Sequence, residues 1–452
     1  MASGGRPNAR AVGGDERLHR RTGYPPGLRT ALWGVATSAF QMEGAPRCDW
    51  THWRIRDETD RRARLNGVGH VERTEGDLAL LSELGVNAYR FSVEWSRVVP
   101  RRGEWDRAEM DRYVRIASAL REAGIEPVVT LHHFTNPAWL VGRSAWEHPA
   151  TAAEFLRFAE RAVRALRDCV RVFITFNEPN VFVAAGYFAK LMPPGGKGAR
   201  NGFAAFANVF RAHGELYDMI HGHAAERPAV GVAHNMVAFH PASETSALDR
   251  WAARVAHTFY NMGLIETFRT GTFSVRIPFL LDEETRVGVR DKLDFLGVNY
   301  YFRMFLRMSP LSLKGPEYFW EDRSGHGLTE TGWEVYPKGF EDVLRSAALA
   351  EVPIVVTENG TAESDDLRKI AYMKDHLRIL QRMIRDGVDI RGYFWWSLMD
   401  NYEWLEGLRP RFGLYHVDFD TLARRPTQAS SYFSRWIRRK IAREEAARRR
   451  DP

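Results

Sequence analysis

The sequence contains little cysteine and no long apolar segment. Its two cysteines, Cys48 and Cys169, lie far apart without the spacing of metal ligands, so neither a disulfide framework nor a zinc site is predicted. No apolar stretch approaches the roughly 20 residues of a membrane-spanning helix. Residues 1–6 also lack the apolar segment of a secretory signal. These absences predict a protein without a membrane partner and with a cytoplasmic location.

Positively charged residues are only slightly more numerous than negatively charged ones. The chain has 64 Lys and Arg against 57 Asp and Glu, a formal net charge of +7, and the basic residues concentrate at its ends. Such runs are usually solvated helix faces or frayed tails, so we expect no nucleic-acid partner. The only feature that favours nucleic-acid binding is the Arg-rich C-terminal tail. We expect residues 1–26, rich in Gly, Arg and Asp, to form a disordered leader, and residues 438–452 a basic C-terminal tail.

Between these ends, strand signals alternate with helical ones. This alternation predicts a single α/β domain over residues 27–437, a (β/α)8 (TIM) barrel with long loops at the C-terminal face of the strands. The loops 180–201 and 302–333 read as irregular segments that follow barrel strands and line the mouth of the site. The eight predicted strands are residues 31–40, 87–95, 126–133, 171–176, 229–235, 293–301, 353–357 and 390–398.

Two glutamates stand where an apolar, strand-like run gives way to a turn. Glu178 precedes Pro179, which cannot donate a ladder hydrogen bond, and Glu358 precedes the turn signal Asn359-Gly360. Barrel enzymes keep their chemistry at such carboxyl ends of strands. A carboxyl pair held there can divide one reaction between a proton donor and a nucleophile, as retaining glycosidases require. Each segment alone also has a purely structural interpretation. Residues 177–179 suit the start of a helix, and residues 357–360 suit an ordinary turn.

Seven segments in the order of the chain resemble glycoside hydrolase family 1, the β-glucosidase and β-galactosidase family. They are 33–44 (WGVATSAFQMEG), 89–92 (YRFS), 130–134 (TLHHF), 175–179 (TFNEP), 299–301 (NYY), 357–360 (TENG) and 396–404 (WSLMDNYEW). The resemblance implies a retaining mechanism in which Glu358 attacks the anomeric carbon while Glu178 protonates the departing oxygen and then acts as base toward water. It requires carboxyl groups about 5 to 5.5 Å apart with dissimilar pKa values, raised at Glu178. No metal or organic cofactor is implied.

The resemblance also implies supporting and sugar-binding residues. Arg90, Asn299 and Tyr301 match positions that support the nucleophile, where a cation and a phenol stabilise its anion. The residues that match glycone-binding positions are Gln41, His133, Asn177, Glu403 and Trp404, with Trp396 as the floor of the pocket and Trp333 as a platform for the leaving group. Taken singly, Arg90, His133 and Trp396 also suit structural or core roles.

The sequence departs from the family pattern on the leaving-group side. Asn180 and Phe134 stand where many relatives carry tryptophan, and the loop 46–53 also differs, so the aglycone stays open. We predict a β-glucosidase that removes the terminal non-reducing β-D-glycosyl residue of small β-glycosides or short oligosaccharides. The alternatives are a β-galactosidase or β-fucosidase, a transglycosylase, a 6-phospho-β-glycosidase, a thioglucosidase and a non-catalytic carbohydrate-binding relative. The last two characteristically lack a catalytic glutamate, and both glutamates are present. The sequence leaves the oligomeric state open.

Overall fold

Eight parallel strands close into a barrel in the computed structural model, which describes residues 24–53, 60–140, 145–223, 227–277, 281–309 and 315–450. The strands are β1 (Leu32–Ala36), β2 (Ala88–Ser92), β3 (Glu126–His132), β4 (Val172–Asn177), β5 (Ala229–Asn235), β6 (Phe295–Tyr300), β7 (Ile354–Asn359) and β8 (Ile390–Trp396). Each pairs with the next in sequence, and β1 pairs with β8 from Leu32 opposite Gly392 to Ala36 opposite Trp396. The predicted (β/α)8 barrel is therefore confirmed.

Helices follow the strands and surround the barrel. They are α1 (Ala39–Glu43), α2 (Arg61–Asn66), α3 (His70–Leu84), α4 (Trp95–Val98), α5 (Arg107–Glu122), α6 (Pro149–Leu166), α7 (Pro179–Val183), α8 (Ala199–His223), α9 (Ala247–Ala256), α10 (Gly263–Thr270), α11 (Pro337–Ala347), α12 (Asp366–Arg385) and α13 (Gln428–Arg450). Several begin at a capping side chain; Asp106, for example, accepts a hydrogen bond from the backbone N–H of Glu109. The first predicted strand was too long, because α1 begins at Ala39.

The two loops predicted to be irregular contain regular structure. Residues 180–201 include α7, a π-helical turn at Ala184–Phe188 and the start of α8. Residues 302–333 contribute Arg303–Arg307 and Glu317–Phe319, which form a three-stranded sheet with Ala238–Pro241. Short hairpins join Thr272–Ile277 to Leu281–Arg286 and Tyr415–Val417 to Arg424–Pro426. Periodicity misses most of these pieces because they are only three to six residues long, too short for a repeat to be recognised in a longer window.

The core has two layers, as expected for a barrel whose interior is filled by side chains. Inside the barrel lies a cluster that includes Leu32, Val128, Ile174 and Phe394, and Leu28 contributes to it from the segment before β1. A larger apolar layer lies between the strands and the helices. At Gly231 a Cβ atom would lie 2.6 Å from the ring of Phe295, so only glycine fits there.

The basic C-terminal segment belongs to a helix as far as residue 450. Helix α13 passes through the predicted boundary at residue 438 and buries Phe433 and Ile437. Arg438 donates to the backbone oxygens of Ser82 and Glu83 at the end of α3. Residues 1–23, most of the predicted leader, lie outside the described residues. No helix in the described ranges is long and apolar enough to cross a membrane.

Candidate active site

Backbone irregularities at the ends of β4 and β7 set the positions of the two glutamates. On β7, Val356 pairs with Val298 but Glu358 pairs with Asn299, so one extra residue, Thr357, is inserted. Such a bulge re-aims the side chains beside it. The pairing of β4 with β5 shifts in the same way between residues 174 and 177. Both glutamates therefore lie at the carboxyl ends of strands where the regular alternation of side chains between the two faces is interrupted.

Glu358 is buried and its two carboxylate oxygens accept from different donors. Arg90 Nη1 lies 2.6 Å from Oε1, and the hydroxyl of Tyr301 donates to Oε2 over 2.6 Å. Arg90 is itself fully buried, so the pair is shielded from solvent and its attraction is strong. A cation and a phenol on one carboxylate both stabilise its anion.

Glu178 has a different environment. Its backbone has φ of 45°, in the left-handed region, where a non-glycine residue is strained; such strain is common at active sites. It precedes α7, as the purely structural interpretation of residues 177–179 predicted, but its side chain makes no capping hydrogen bond. Instead Oε1 accepts from Nδ2 of Asn299 at 2.8 Å and from Nδ2 of Asn235 at 3.0 Å. Both of these donors are neutral amides.

These surroundings separate the proton affinities of the two carboxyl groups. Burial raises the pKa of Glu178 to about 8, and the charge of Glu358 adds to the rise, while the two amides oppose it. Burial also raises the pKa of Glu358, but the charge of Arg90 and the hydrogen bonds from Tyr301 and Arg90 act against that rise. The cation and the phenol thus favour the ionised form of Glu358, whereas Glu178, bonded only by neutral amides, has the stronger tendency to hold a proton.

Asn177 and His133 are oriented by Arg90. Arg90 Nη2 can only donate, and it lies 2.6 Å from Asn177 Oδ1, so the Asn177 amide nitrogen faces Nε2 of His133 at 3.2 Å. Burial and the charge of Arg90 hold the pKa of His133 well below its usual value, so the ring is neutral. Since Nε2 accepts, the proton is on Nδ1, which has no partner among the described residues. His133 is therefore a neutral ring with an unused N–H at Nδ1.

Gln41 and Glu403 form a second polar group. Gln41 Nε2 donates to Glu403 Oε2 and to Asn401 Oδ1, each at 3.0 Å, while its Oε1 accepts from Ser38 at 2.7 Å. Burial raises the pKa of Glu403 to about 8, the charge of Glu358 adds to the rise, and hydrogen bonds from Gln41 and Trp396 oppose it. A carboxyl group that titrates near neutral pH can accept from or donate to a sugar hydroxyl.

Aromatic rings lie beside these polar groups. The ring of His133 lies nearly parallel to Trp396 and to Trp404, with centroids 6.0 and 6.1 Å away. Trp333 lies 5.7 Å from Tyr301, the residue that bonds the Glu358 carboxylate, and is only half-buried. Flat apolar faces beside polar donors match the surface of a pyranose, which has C–H faces and a rim of hydroxyls.

The structure joins all the predicted site residues in one network of contacts. Direct hydrogen bonds link Glu178 and Glu358 to Arg90, Asn299 and Tyr301. Trp396 contacts both His133 and Glu403, and ring contacts add Trp333 and Trp404. The sequence analysis missed Asn235, which donates to Glu178, and Thr357, whose hydroxyl donates to Asn299 Oδ1 over 2.6 Å. Asn235 could have been found, because it is a polar residue at the end of a predicted strand.

The residues that depart from the family pattern, Asn180, Phe134 and the loop 46–53, contact residues of the site or their neighbours. Asn180 Nδ2 donates to the backbone oxygen of Asn235 over 2.8 Å, and Phe134 lies 5.2 Å from Trp404. The loop at residues 46–53 supplies Trp50, whose ring is 4.7 Å from that of Trp404. The loop therefore packs against Trp404. In the described part of the chain no group of three or more His, Cys, Asp or Glu side chains is placed to hold a metal ion.

Comparison with known proteins identifies the family. Residues 28–441 match glycosyl hydrolase family 1. The chain is 30% identical to Beta-glucosidase A of Acetivibrio thermocellus, over 90% of this chain and 97% of that protein, and 30% identical to a Beta-galactosidase of Pyrococcus woesei, over 88% and 94%. A beta-glycosidase from Pyrococcus horikoshii superposes with a TM-score of 0.82 at 34% identity, over 92% of this chain and 95% of that one. A Thermotoga maritima family 1 β-glucosidase gives 0.83 at 29% identity, over 92% and 98%. The chain is a glycoside hydrolase and belongs to glycosyl hydrolase family 1.

Proposed function

We propose that the protein is a retaining β-glucosidase that removes the terminal non-reducing β-D-glucosyl residue from small glycosides or short oligosaccharides. One observation carries this proposal: two buried carboxyl groups share Asn299 as a neighbour but differ in their other partners. Glu358 is held by a guanidinium and a phenol, and Glu178 by amides alone. This difference supplies one anionic nucleophile and one protonated acid at the same pH.

In the first step Glu358 attacks the anomeric carbon and a bond forms between that carbon and a carboxylate oxygen. The bond from the anomeric carbon to the leaving-group oxygen breaks, and Glu178 transfers its proton to that oxygen. Glu178 is then a carboxylate, and its pKa falls as the charge of Glu358 disappears, because that charge is one cause of the rise. The acid of the first step thereby becomes a base of moderate strength for the second.

In the second step Glu178 removes a proton from water as the water oxygen attacks the anomeric carbon. The ester bond to Glu358 breaks and the carboxylate returns to its contacts with Arg90 and Tyr301. The neutral His133, the Gln41 amide and Glu403 offer donors and acceptors to the glycone hydroxyls, and Trp396 offers an apolar face. Trp333, half-buried beside Tyr301, offers a second face to the leaving group.

Two features favour an unphosphorylated substrate. Glu403 stands in the pocket, and a carboxyl group there disfavours a phosphate once it ionises. The two nearby cations are engaged elsewhere, since Arg409 bonds the Glu406 carboxylate and Arg411 lies 3.2 Å from Asp400. Neither cation is arranged to neutralise a phosphate beside Glu403.

Removal of the nucleophile tests the proposal. We expect Glu358→Ala to abolish hydrolysis of an aryl β-glucoside, and azide to restore turnover with an α-glucosyl azide as product, because the small anion attacks from the vacated side. The matched control is Glu363→Ala, a nearby buried glutamate paired with Arg368, which should keep its activity and show no response to azide. Full activity of Glu358→Ala would refute the proposal. Initial rates on a panel of aryl β-glucosides, β-galactosides and β-fucosides then rank the glycones.

A further inference from the structure

Asn235 lies between the acid/base glutamate and a residue outside the pocket described above. Its Nδ2 donates to Glu178 Oε1 at 3.0 Å, and its Oδ1 accepts from the hydroxyl of Tyr260 at 2.9 Å. Tyr260 belongs to a π-helical turn, His257–Met262, that follows α9. The next residue, Asn261, makes two hydrogen bonds to the backbone of Val237 and so fixes the turn beside the end of β5.

The Tyr260 hydroxyl decides which way the Asn235 amide faces. An amide can present either oxygen or nitrogen to a neighbour, and a flipped Asn235 would direct its oxygen at Glu178. Burial and the charge of Glu178 raise the pKa of Tyr260 well above its usual value, so the phenol keeps its proton and remains a donor. A phenol that donates holds Oδ1 and leaves Nδ2 for Glu178. Asn299 is held in the same way by the Thr357 hydroxyl.

Two amide donors on one oxygen determine where the acid proton resides. Oε1 of Glu178 accepts from both Asn235 and Asn299, and a hydrogen on that oxygen would collide with the hydrogens that already point at it. The proton of the neutral acid is therefore on Oε2. We propose that Tyr260 is a positioning residue that acts through Asn235 to keep the transferable proton of Glu178 on Oε2. This inference rests on the proposed acid/base role of Glu178.

The arrangement also affects the pH at which the acid is lost. The titratable and charged groups that face Glu178 are Glu358 on β7, Arg90 on β2, Tyr301 after β6, Glu403 after β8 and Tyr260 itself. Among these, Tyr260 works through an amide that stabilises the carboxylate form. Loss of its hydroxyl frees Asn235 to turn its oxygen toward the protonated acid, which raises the pKa of Glu178.

The experiment compares pH profiles of kcat/KM for Tyr260→Phe, Asn235→Ala and the double variant. We expect the alkaline limb of Tyr260→Phe to move up by about one to two pH units, the amount expected from one hydrogen bond to the carboxylate. Asn235→Ala should move it in the same direction, and the double variant should match Asn235→Ala, because Tyr260 acts through Asn235. Rates should fall more for cellobiose than for a dinitrophenyl glucoside, because the dinitrophenolate leaving group departs without protonation. Tyr217→Phe, which removes a phenol that donates to Asp294 instead, is the control.

Each outcome decides the inference. An unmoved alkaline limb in Tyr260→Phe, or a further shift when Tyr260→Phe is added to Asn235→Ala, overturns it. If Asn235→Ala does not fold, Asn235→Ser takes its place, since serine keeps a polar side chain too short to reach Glu178. The profile of Glu178→Gln on an activated substrate separates this inference from the proposed function. If that variant keeps the alkaline limb, the acid/base assignment fails; if it loses the limb while Tyr260→Phe leaves it in place, only the inference fails.

Discussion

Replacement of Tyr301 by phenylalanine should raise the pKa of Glu358, the proposed nucleophile. The phenol donates to Glu358 Oε2 over 2.6 Å in a buried site, and a hydrogen bond to a charged group contributes about 1.5–3 kcal/mol. It stabilises only the carboxylate form, so its loss raises the pKa of Glu358 by about one to two units, at 1.36 kcal/mol per unit. Burial and the charges of Glu358 and Glu178 raise the pKa of Tyr301 well above its usual value, so the donor is intact across the assay range.

The assay is the pH dependence of kcat/KM for an activated aryl β-glucoside. The acidic limb reports the ionisation of the nucleophile in the free enzyme and should move up by about one to two pH units in Tyr301→Phe. Tyr300→Phe is the matched control, because the neighbouring phenol donates to the backbone oxygen of Tyr336 and not to a carboxylate. An acidic limb that stays in place in Tyr301→Phe, or that moves equally in Tyr300→Phe, refutes the reasoning.

Three further predictions concern the acid, the pocket and the fold. Glu178→Gln should reduce the glycosylation rate of cellobiose by about 10²–10⁴-fold and that of a dinitrophenyl glucoside far less, as pre-steady-state kinetics would show; equal losses would count against the acid role. Above pH 8, where Glu403 with its pKa of about 8 is mostly ionised, an aryl β-glucoside should be preferred over its 6-phosphate by about a hundredfold or more in kcat/KM; a preference for the phosphate would contradict this. Arg303→Met should lower the free energy of unfolding by about 3–5 kcal/mol in denaturant titrations, because it leaves the fully buried Glu334 without its cation; the exposed Arg276→Met should change it little, and equal effects would refute the argument.

The barrel could be predicted from the sequence because its strands have a strong local signal. Runs such as residues 171–176 and 353–357 are apolar on both faces and end at Pro or Asn-Gly, which is the pattern of a buried parallel strand. The ends of elements follow less directly from local sequence. The predicted first strand ran into α1, since Ala39 and Phe40 suit either structure, and the segment after residue 437 read as a tail although it continues a helix.

For the candidate site, the sequence predicts which polar side chains lie near the ends of strands but not the contacts between them. The bulge at Thr357 depends on the pairing of β7 with β6, and no local pattern in residues 353–360 indicates it. The contact of Tyr260 with Asn235 depends on how a π-helical turn packs beside β5, which the sequence around Tyr260 does not specify. The proton affinities of Glu178 and Glu358 likewise follow from burial and from distant partners, which only the folded chain brings together.

The central claim is that Glu358 forms a covalent bond with the sugar, and labelling of that residue tests it most directly. A 2-deoxy-2-fluoro-β-glucoside with a good leaving group should form the glycosyl-enzyme but hydrolyse slowly, because the electron-poor sugar destabilises the cationic transition state of both steps while the leaving group restores only the first. Digestion and mass analysis should then place one fluoroglucosyl group on the peptide that contains Glu358, and Glu358→Ala should remain unlabelled. A label on any other residue, or the absence of a label while the reagent inactivates the enzyme, would contradict the account.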